Sequence, residues 1–206
     1  MRVLPDPFVL VVLLVDAVLL LLAFDRLLAA LRAGIACFKS FYSTEEMLGN
    51  KYLCNSVRQT YFLLLPVFTE TLLLADVSLQ NYFVTLGLLL ALVFFRMLAC
   101  RLIGWLGGDP GVFSAIERVG EALFVLMMVF STSVLLVGWI LPETPRWVLW
   151  GALSVLAAVI AGVYVWRGTA LIMQNRFSLF FWVLYLCALE FLPISVVVNI
   201  LMINGN

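Results

Sequence analysis

Long apolar runs alternate with short polar breaks along this chain, and the runs fall at residues 7–28, 60–77, 81–105, 117–141, 146–166 and 178–202. Most are close to the roughly 20 apolar residues that a helix needs to cross a hydrocarbon layer about 30 Å thick. The runs are continuous and Leu-rich. A membrane β-barrel would instead alternate apolar and polar positions. Two of the breaks carry strong turn chemistry: Gly107-Gly108-Asp109-Pro110-Gly111 and Pro142-Glu143-Thr144-Pro145. The pattern predicts an all-α fold, a polytopic membrane bundle of about six transmembrane helices forming a single integral membrane domain over residues 1–206. The first run is too long for a signal peptide, contains Asp16 and is followed by no small-x-small cleavage site, so it reads as a retained span. Asp25 and Arg26 then mark its far edge.

One stretch breaks the rhythm. Residues 32–55 mix Arg32, Lys39, Glu45, Glu46 and Lys51 with Phe38, Phe41, Tyr42 and Tyr52, and read as a long hydrophilic loop. Basic and aromatic residues together suit a segment lying on headgroups; a solvated connector fits equally. Ser43-Thr44-Glu45-Glu46 has the spacing of a capping box, which predicts a helix starting near Thr44. The segment 167–175 reads as a linker.

Composition narrows the chemistry. The chain is 65% hydrophobic and only 12% charged, with a mean hydropathy of +1.16. Soluble domains run near 45–50% apolar and about 25% charged. Net charge is zero, so no nucleic-acid footprint is expected. There is no histidine, which removes the commonest general base and metal ligand. Cys37, Cys54, Cys100 and Cys187 show no Cys-x-x-Cys spacing, so no metal, haem or disulfide framework is expected and no cofactor is implied.

Six spans would put both termini on one side. Arg2 and Arg146 fall on that side; Arg26, Arg32, Lys39, Lys51, Arg58, Arg101, Arg118, Arg167 and Arg176 fall on the other. Cytoplasmic loops collect Lys and Arg, so both termini are expected to face away from the cytoplasm, with the 32–55 stretch on the cytoplasmic side.

Four charges sit near the middle of their spans: Asp16, Glu70, Arg96 and Glu190. A central Asp or Arg costs roughly 2.5–3.5 kcal/mol on translocon scales, so these groups are expected to turn inward. Arg96 is expected to pair with Glu190 and with Glu70, because one guanidinium serves two carboxylates. The pair reads either as a structural lock or as part of a proton or cation relay. Pro66 and Pro193 lie within a turn of Glu70 and Glu190 and are helix-kink candidates. Glu117, Arg118 and Glu121 open the fourth span at its cytoplasmic mouth, with both acids on one face, as a hydrated helix start or a binding mouth. Gly151, Ser154, Ala158, Ala161 and Gly162 form a helix-packing stripe on the fifth span, for contact within the bundle or between protomers. Trp105, Trp147, Trp150, Trp166 and Tyr82 suit aromatic belts.

Known designs for membrane proteases fail on these residues. A rhomboid serine site needs a Gly-x-Ser-Gly setting and a histidine. The Glu-Glu-x-x-x-Arg metalloprotease type needs histidines, and Glu45-Glu46 is followed by Asn50 where the arginine should stand. No catalytic residue is assigned. The expected role is a non-enzymatic membrane scaffold or accessory subunit, whose partners are the lipid bilayer and a membrane protein or a second copy of itself. The alternative is a small proton- or cation-linked transporter or channel using the intramembrane carboxylates.

The C-terminal run opens with Arg176-Phe-Ser and closes with Tyr185-Leu-Cys-Ala-Leu-Glu-Phe-Leu-Pro193. It resembles the ending of a multi-pass membrane family of Bacteroidota, domain of unknown function 4271. The 38–58 loop, the Arg101-Leu-Ile-Gly-Trp105 exit and the charged start of the fourth span are similar in kind. The resemblance implies a bacterial inner-membrane protein and draws attention to Glu190 and Pro193; it implies no activity, cofactor or catalytic residue.

Overall fold

The structure, a computed structural model, describes residues 21–74, 82–107, 110–140 and 146–175 together with Val18 and Val183. For residues 70–74, 82–85, 135–140 and 146–147 the description is of the backbone alone. Among the described residues there are six α-helices and no strand: α1 Phe24–Lys39, α2 Phe41–Gly49, α3 Lys51–Leu74, α4 Tyr82–Leu106, α5 Pro110–Ile140 and α6 Arg146–Gln174. Two helices, α4 over Leu86–Leu106 and α6 over Val148–Gln174, are long and apolar enough to cross a membrane. The expected first span lies mostly outside the described residues, as does the whole of 178–202.

The bundle is built around α5, which touches each of the other five helices. Its inward side is a stripe of Val112, Phe113, Ile116, Val119, Ala122, Leu123, Val125, Leu126 and Met128, all buried. These recur at helical spacing, which is why a 31-residue segment can serve as the core. Against it α1 lays Ala29, Ala30, Ala33, Gly34 and Cys37, all buried. A Cβ on Gly34 would lie 2.5 Å from Leu126 Cγ and 2.9 Å from the Ala122 carbonyl oxygen, so only glycine fits this crossing. Gly104 of α4 similarly faces the Pro110 backbone, where a Cβ would sit 3.1 Å from its Cα.

Several sequence expectations need correction. Residues 32–55 are not a loop. They form the end of α1, all of α2 and the start of α3, and bury Ala33, Cys37, Thr44 and Met47. The charged residues between those positions sit on the outer faces of the helices, which gives the stretch its polar average. The capping box is displaced by one turn. Ser40, not Ser43, caps α2, and its Oγ accepts from the Ser43 amide at 3.1 Å. Asp25 and Arg26 do not end a helix; they begin α1, after a turn at Ala23. The helix expected at 117 starts at Pro110, and the helix expected to stop at 166 runs on to Gln174 through the supposed linker.

One end of the bundle gathers the close of α1, α2, the starts of α3 and α5 and the close of α6. Gln174 Nε2 donates to Glu45 Oε1 at 2.9 Å, tying α6 to α2. The α4–α5 turn brings Gly104 and Pro110 together at this same end. Helices α3 and α5 therefore start side by side and run in the same direction.

Candidate functional site: a buried charge cluster

The charges that turn inward, among the described residues, gather in one layer inside the bundle from that end. Arg58 is on the third turn of α3. Its Nη2 lies 3.7 Å from Glu117 Oε1, and its Nε lies 3.8 Å from Glu121 Oε1, both on α5. Arg118 Nη1 donates to Glu121 Oε2 at 3.0 Å. Arg58 Nη2 also points at Met97 Sδ of α4, 3.9 Å away. Glu117 and Glu121 are 8% and 3% exposed, which makes them core residues. Spacing explains the sharing: one helical turn puts both carboxylates on the face that meets α3. The Oε1 atoms of both acids make charge contacts but no hydrogen bond. A buried carboxylate held at such distances depends on its counter-ion, because the opposite charge offsets its desolvation.

A second cation occupies the same layer. The Arg96 guanidinium carbon lies 5.3 Å from the centroid of the Tyr164 ring, within cation–π range. The guanidinium also passes across α5 at Gly120, and a Cβ there would collide with its Nη2. Arg167 makes the third polar tie. It is buried, and its Nε donates to the Cys37 carbonyl oxygen at 2.7 Å. That carbonyl belongs to the last turn of α1, where unpaired carbonyls and the negative end of the dipole both favour a cation.

Glu117, Arg118 and Glu121 do not open a helix: α5 has already made two turns, so neither acid serves the dipole, and both acids are buried. Of the three, only Arg118 reaches an open surface. Arg96 lies on the inside of α4, over Gly120 and Tyr164. Glu70 lies on α3, but its side chain is outside the described residues, and Asp16, Glu190 and Pro193 lie wholly outside them. Helix α3 continues through Pro66 without interruption. Gly151, Ser154, Ala158, Ala161 and Gly162 are all exposed, and a Cβ on Gly151 or Gly162 would meet nothing within 4 Å.

Sequence reasoning passed over Arg58, Gly120, Tyr164 and Arg167. Arg58 stands among Asn55, Ser56, Gln59 and Thr60, which reads as a polar helix start. For Arg167 a signal existed, because the apolar pattern resumes at Leu171 and Ile172, both buried. Burial pushes the Cys37 thiol up to about 12, against partial opposition from Arg167 and the Thr44 hydroxyl, so it is protonated at neutral pH and is no nucleophile. Among the described residues no three His, Cys, Asp or Glu side chains come together as a metal site. In comparison with known proteins, no family model, no curated protein and no solved structure matches the chain.

Proposed function

We propose that this chain is an integral protein of the bacterial cytoplasmic membrane, with six spans and both termini on the periplasmic side, and that it acts as a non-enzymatic scaffold or accessory subunit. The observation that carries the membrane reading is an inversion of the usual burial pattern. Helices α4 and α6 have a mean hydropathy of 2.2 over their apolar segments, yet only 17% and 11% of those windows are buried. A soluble protein would hide such helices. Here Phe94, Phe95, Leu98, Leu102, Val155 and Val159 point outward, an arrangement that needs lipid around it. Lys39, Lys51, Arg101 and Arg118 all belong to the end holding α2, which supports placing that end in the cytoplasm.

The scaffold reading draws on the charge layer and on α6. The charges lie closed on one another inside the bundle, while the small-residue face of α6 is left open. Small residues are where membrane helices approach most closely. A photo-crosslinking residue placed at Ser154 or Ala158 should capture a membrane protein or a second copy in native membranes. Capture of lipid alone would argue against the scaffold. The carrier reading draws on the buried Glu117 and Glu121 oxygens that lack hydrogen bonds. Proton or cation flux into proteoliposomes of the purified protein, absent from empty vesicles, would put the carrier in its place. A C-terminal alkaline phosphatase fusion should be active; an inactive fusion at normal expression would reverse the orientation.

A further inference from the structure

We propose that Glu117 is a proton-binding site at the inner end of the groove between α3 and α5, where a proton from water and the Arg58 guanidinium are alternative neutralisers of one buried carboxylate. The groove, of about 400 Å³, is bordered by Lys51, Cys54 and Asn55 on α3 and by Ser114, Ala115 and Arg118 on α5. Helical spacing carries the α3 face on to Arg58 and the α5 face on to Glu117, so this ion pair closes the groove from inside.

Three observations carry the proposal. The first is a bare oxygen. Glu117 is buried, and its Oε1 accepts no hydrogen bond although it faces Arg58 Nη2 at 3.7 Å. That separation is beyond an ordinary hydrogen bond, so a proton can settle on Oε1 without displacing a donor. The second is an inequality between the partners. The Arg58 side chain is 29% exposed, whereas those of Glu117 and Glu121 are 10% and 4% exposed. The cation can withdraw to the groove; the acids cannot leave the interior. A buried carboxylate without its counter-ion takes up a proton, because its charged form is poorly solvated there. The third is that the two acids are not equivalent. Glu121 keeps Arg118 at 3.0 Å when Arg58 leaves, whereas among the described residues Glu117 has an ion pair with Arg58 alone. The proton therefore goes to Glu117.

The other groups around the pair are placed elsewhere. Arg96 of α4 crosses α5 at Gly120 and lies over Tyr164 of α6, and Arg167 is bound to the Cys37 carbonyl oxygen. Lys51 and Cys54 border the groove one and two turns nearer its mouth, and the buried residues of α1 carry no charge. Proton binding holds under either the scaffold or the carrier reading; under the second it names the proton as what is carried.

The test uses the full chain purified in mild detergent and treated with dicyclohexylcarbodiimide. This apolar reagent adds to a protonated carboxyl and leaves a stable N-acylurea where water is excluded. Adducts are mapped by peptide mass spectrometry. Glu117 should be modified in mild acid and spared in alkali, while the exposed Glu45 and Glu46 should stay unmodified. Arg58→Gln should raise the Glu117 yield at neutral pH about tenfold, since the guanidinium no longer competes with the proton. Infrared difference spectra between acid and alkali should show a protonated-carboxyl band that Glu117→Gln lacks. The mapping is done on the unsubstituted chain, so it decides even where a variant fails to fold. No adduct on Glu117 in acid, an adduct on Glu121 in its place, or a yield no higher than that on Glu46 would each overturn the proposal. So would a yield that Arg58→Gln leaves unchanged in a chain that still melts cooperatively. An adduct on Glu117 without proton flux into proteoliposomes would support the site and leave the scaffold in place. Flux with Glu117 unmodified in acid would overturn the site and pass the carrier reading to other acids.

Discussion

Helices α1 and α6 both carry stripes of small residues, and among the described residues only the α1 stripe is packed against a neighbour. On α1, Ala29, Ala30, Ala33, Gly34 and Cys37 are buried against α3 and α5, and α5 comes so close that a Cβ at Gly34 has no room. On α6, Gly151, Ser154, Ala158, Ala161 and Gly162 face outward with open space beyond the glycines. Helix α6 joins the bundle through its opposite side, by Ile160, Tyr164, Leu171 and Ile172, and through the Arg167 bond to α1. Small residues at helical spacing therefore permit close approach without specifying it. What decides is which face the neighbouring helix meets: α5 takes the small-residue side of α1 but the Ile160, Tyr164 and Leu171 side of α6.

This contrast can be broken at its strongest point first. Gly34→Leu should cost about 3 kcal/mol or prevent folding, because neither Leu126 nor the Ala122 backbone can withdraw enough; the loss of a melting transition in detergent would show it. Arg167→Leu should cost about 2 kcal/mol, since it removes a charged donor from a buried carbonyl. The same melt reads it, and an unchanged midpoint would mean that α6 does not depend on this tie. A third probe is Cys37 itself. Its thiol rises from 9.0 to about 12 on folding. The sign follows directly: the native state holds its proton longer, so this contribution to stability is complete below about pH 9 and is lost as pH climbs towards 12. At pH 8 Cys37 should resist maleimide until the chain is unfolded. Labelling in the folded protein would mean that the α1–α5 contact opens. The open stripe should show no loss at all: Gly151→Leu with Gly162→Leu should hold the melting midpoint or raise stability by about 1 kcal/mol, since leucine is the better helix former at an exposed position. A large fall would show that the α6 face is already covered within one chain.

The α4 helix was legible almost to the residue, 81–105 against Tyr82–Leu106, because a short polar stretch precedes it, the Gly107–Gly111 breaker follows it and its interior is apolar. The start of α5 and the end of α6 were misjudged for one shared reason. Glu117 and Arg167 were read as membrane borders, since a hydropathy pattern treats a charge as a sign of water. Both are interior residues whose partners come from far along the chain: Arg58 for Glu117, and the Cys37 carbonyl for Arg167. Nothing local announces such a partner. The α1 stripe was missed for a different reason. Alanine, glycine and cysteine score too weakly to outweigh the Arg, Lys and Phe side chains on the outer face of the same helix. Arg96 was singled out for an inward position with Glu70 and Glu190 as partners; it lies against Gly120 and Tyr164, and the side chains of both acids are outside the described residues. Its contacts with Gly120 and Tyr164 depend on helix–helix crossings that no spacing in the sequence encodes.

The crossing of Arg96 over Gly120 has a mechanical consequence. The middle of α4 is a run of Leu, Val and Phe that would fit against a greasy neighbour almost as well after sliding by one turn. A guanidinium lodged in the gap left by a missing side chain acts as a tooth in a notch. Sliding α4 by one turn along α5 would carry that tooth off Gly120 and onto the side chain of Ile116 or Phe124, so one residue without a side chain removes the degeneracy that an apolar helix pair otherwise carries.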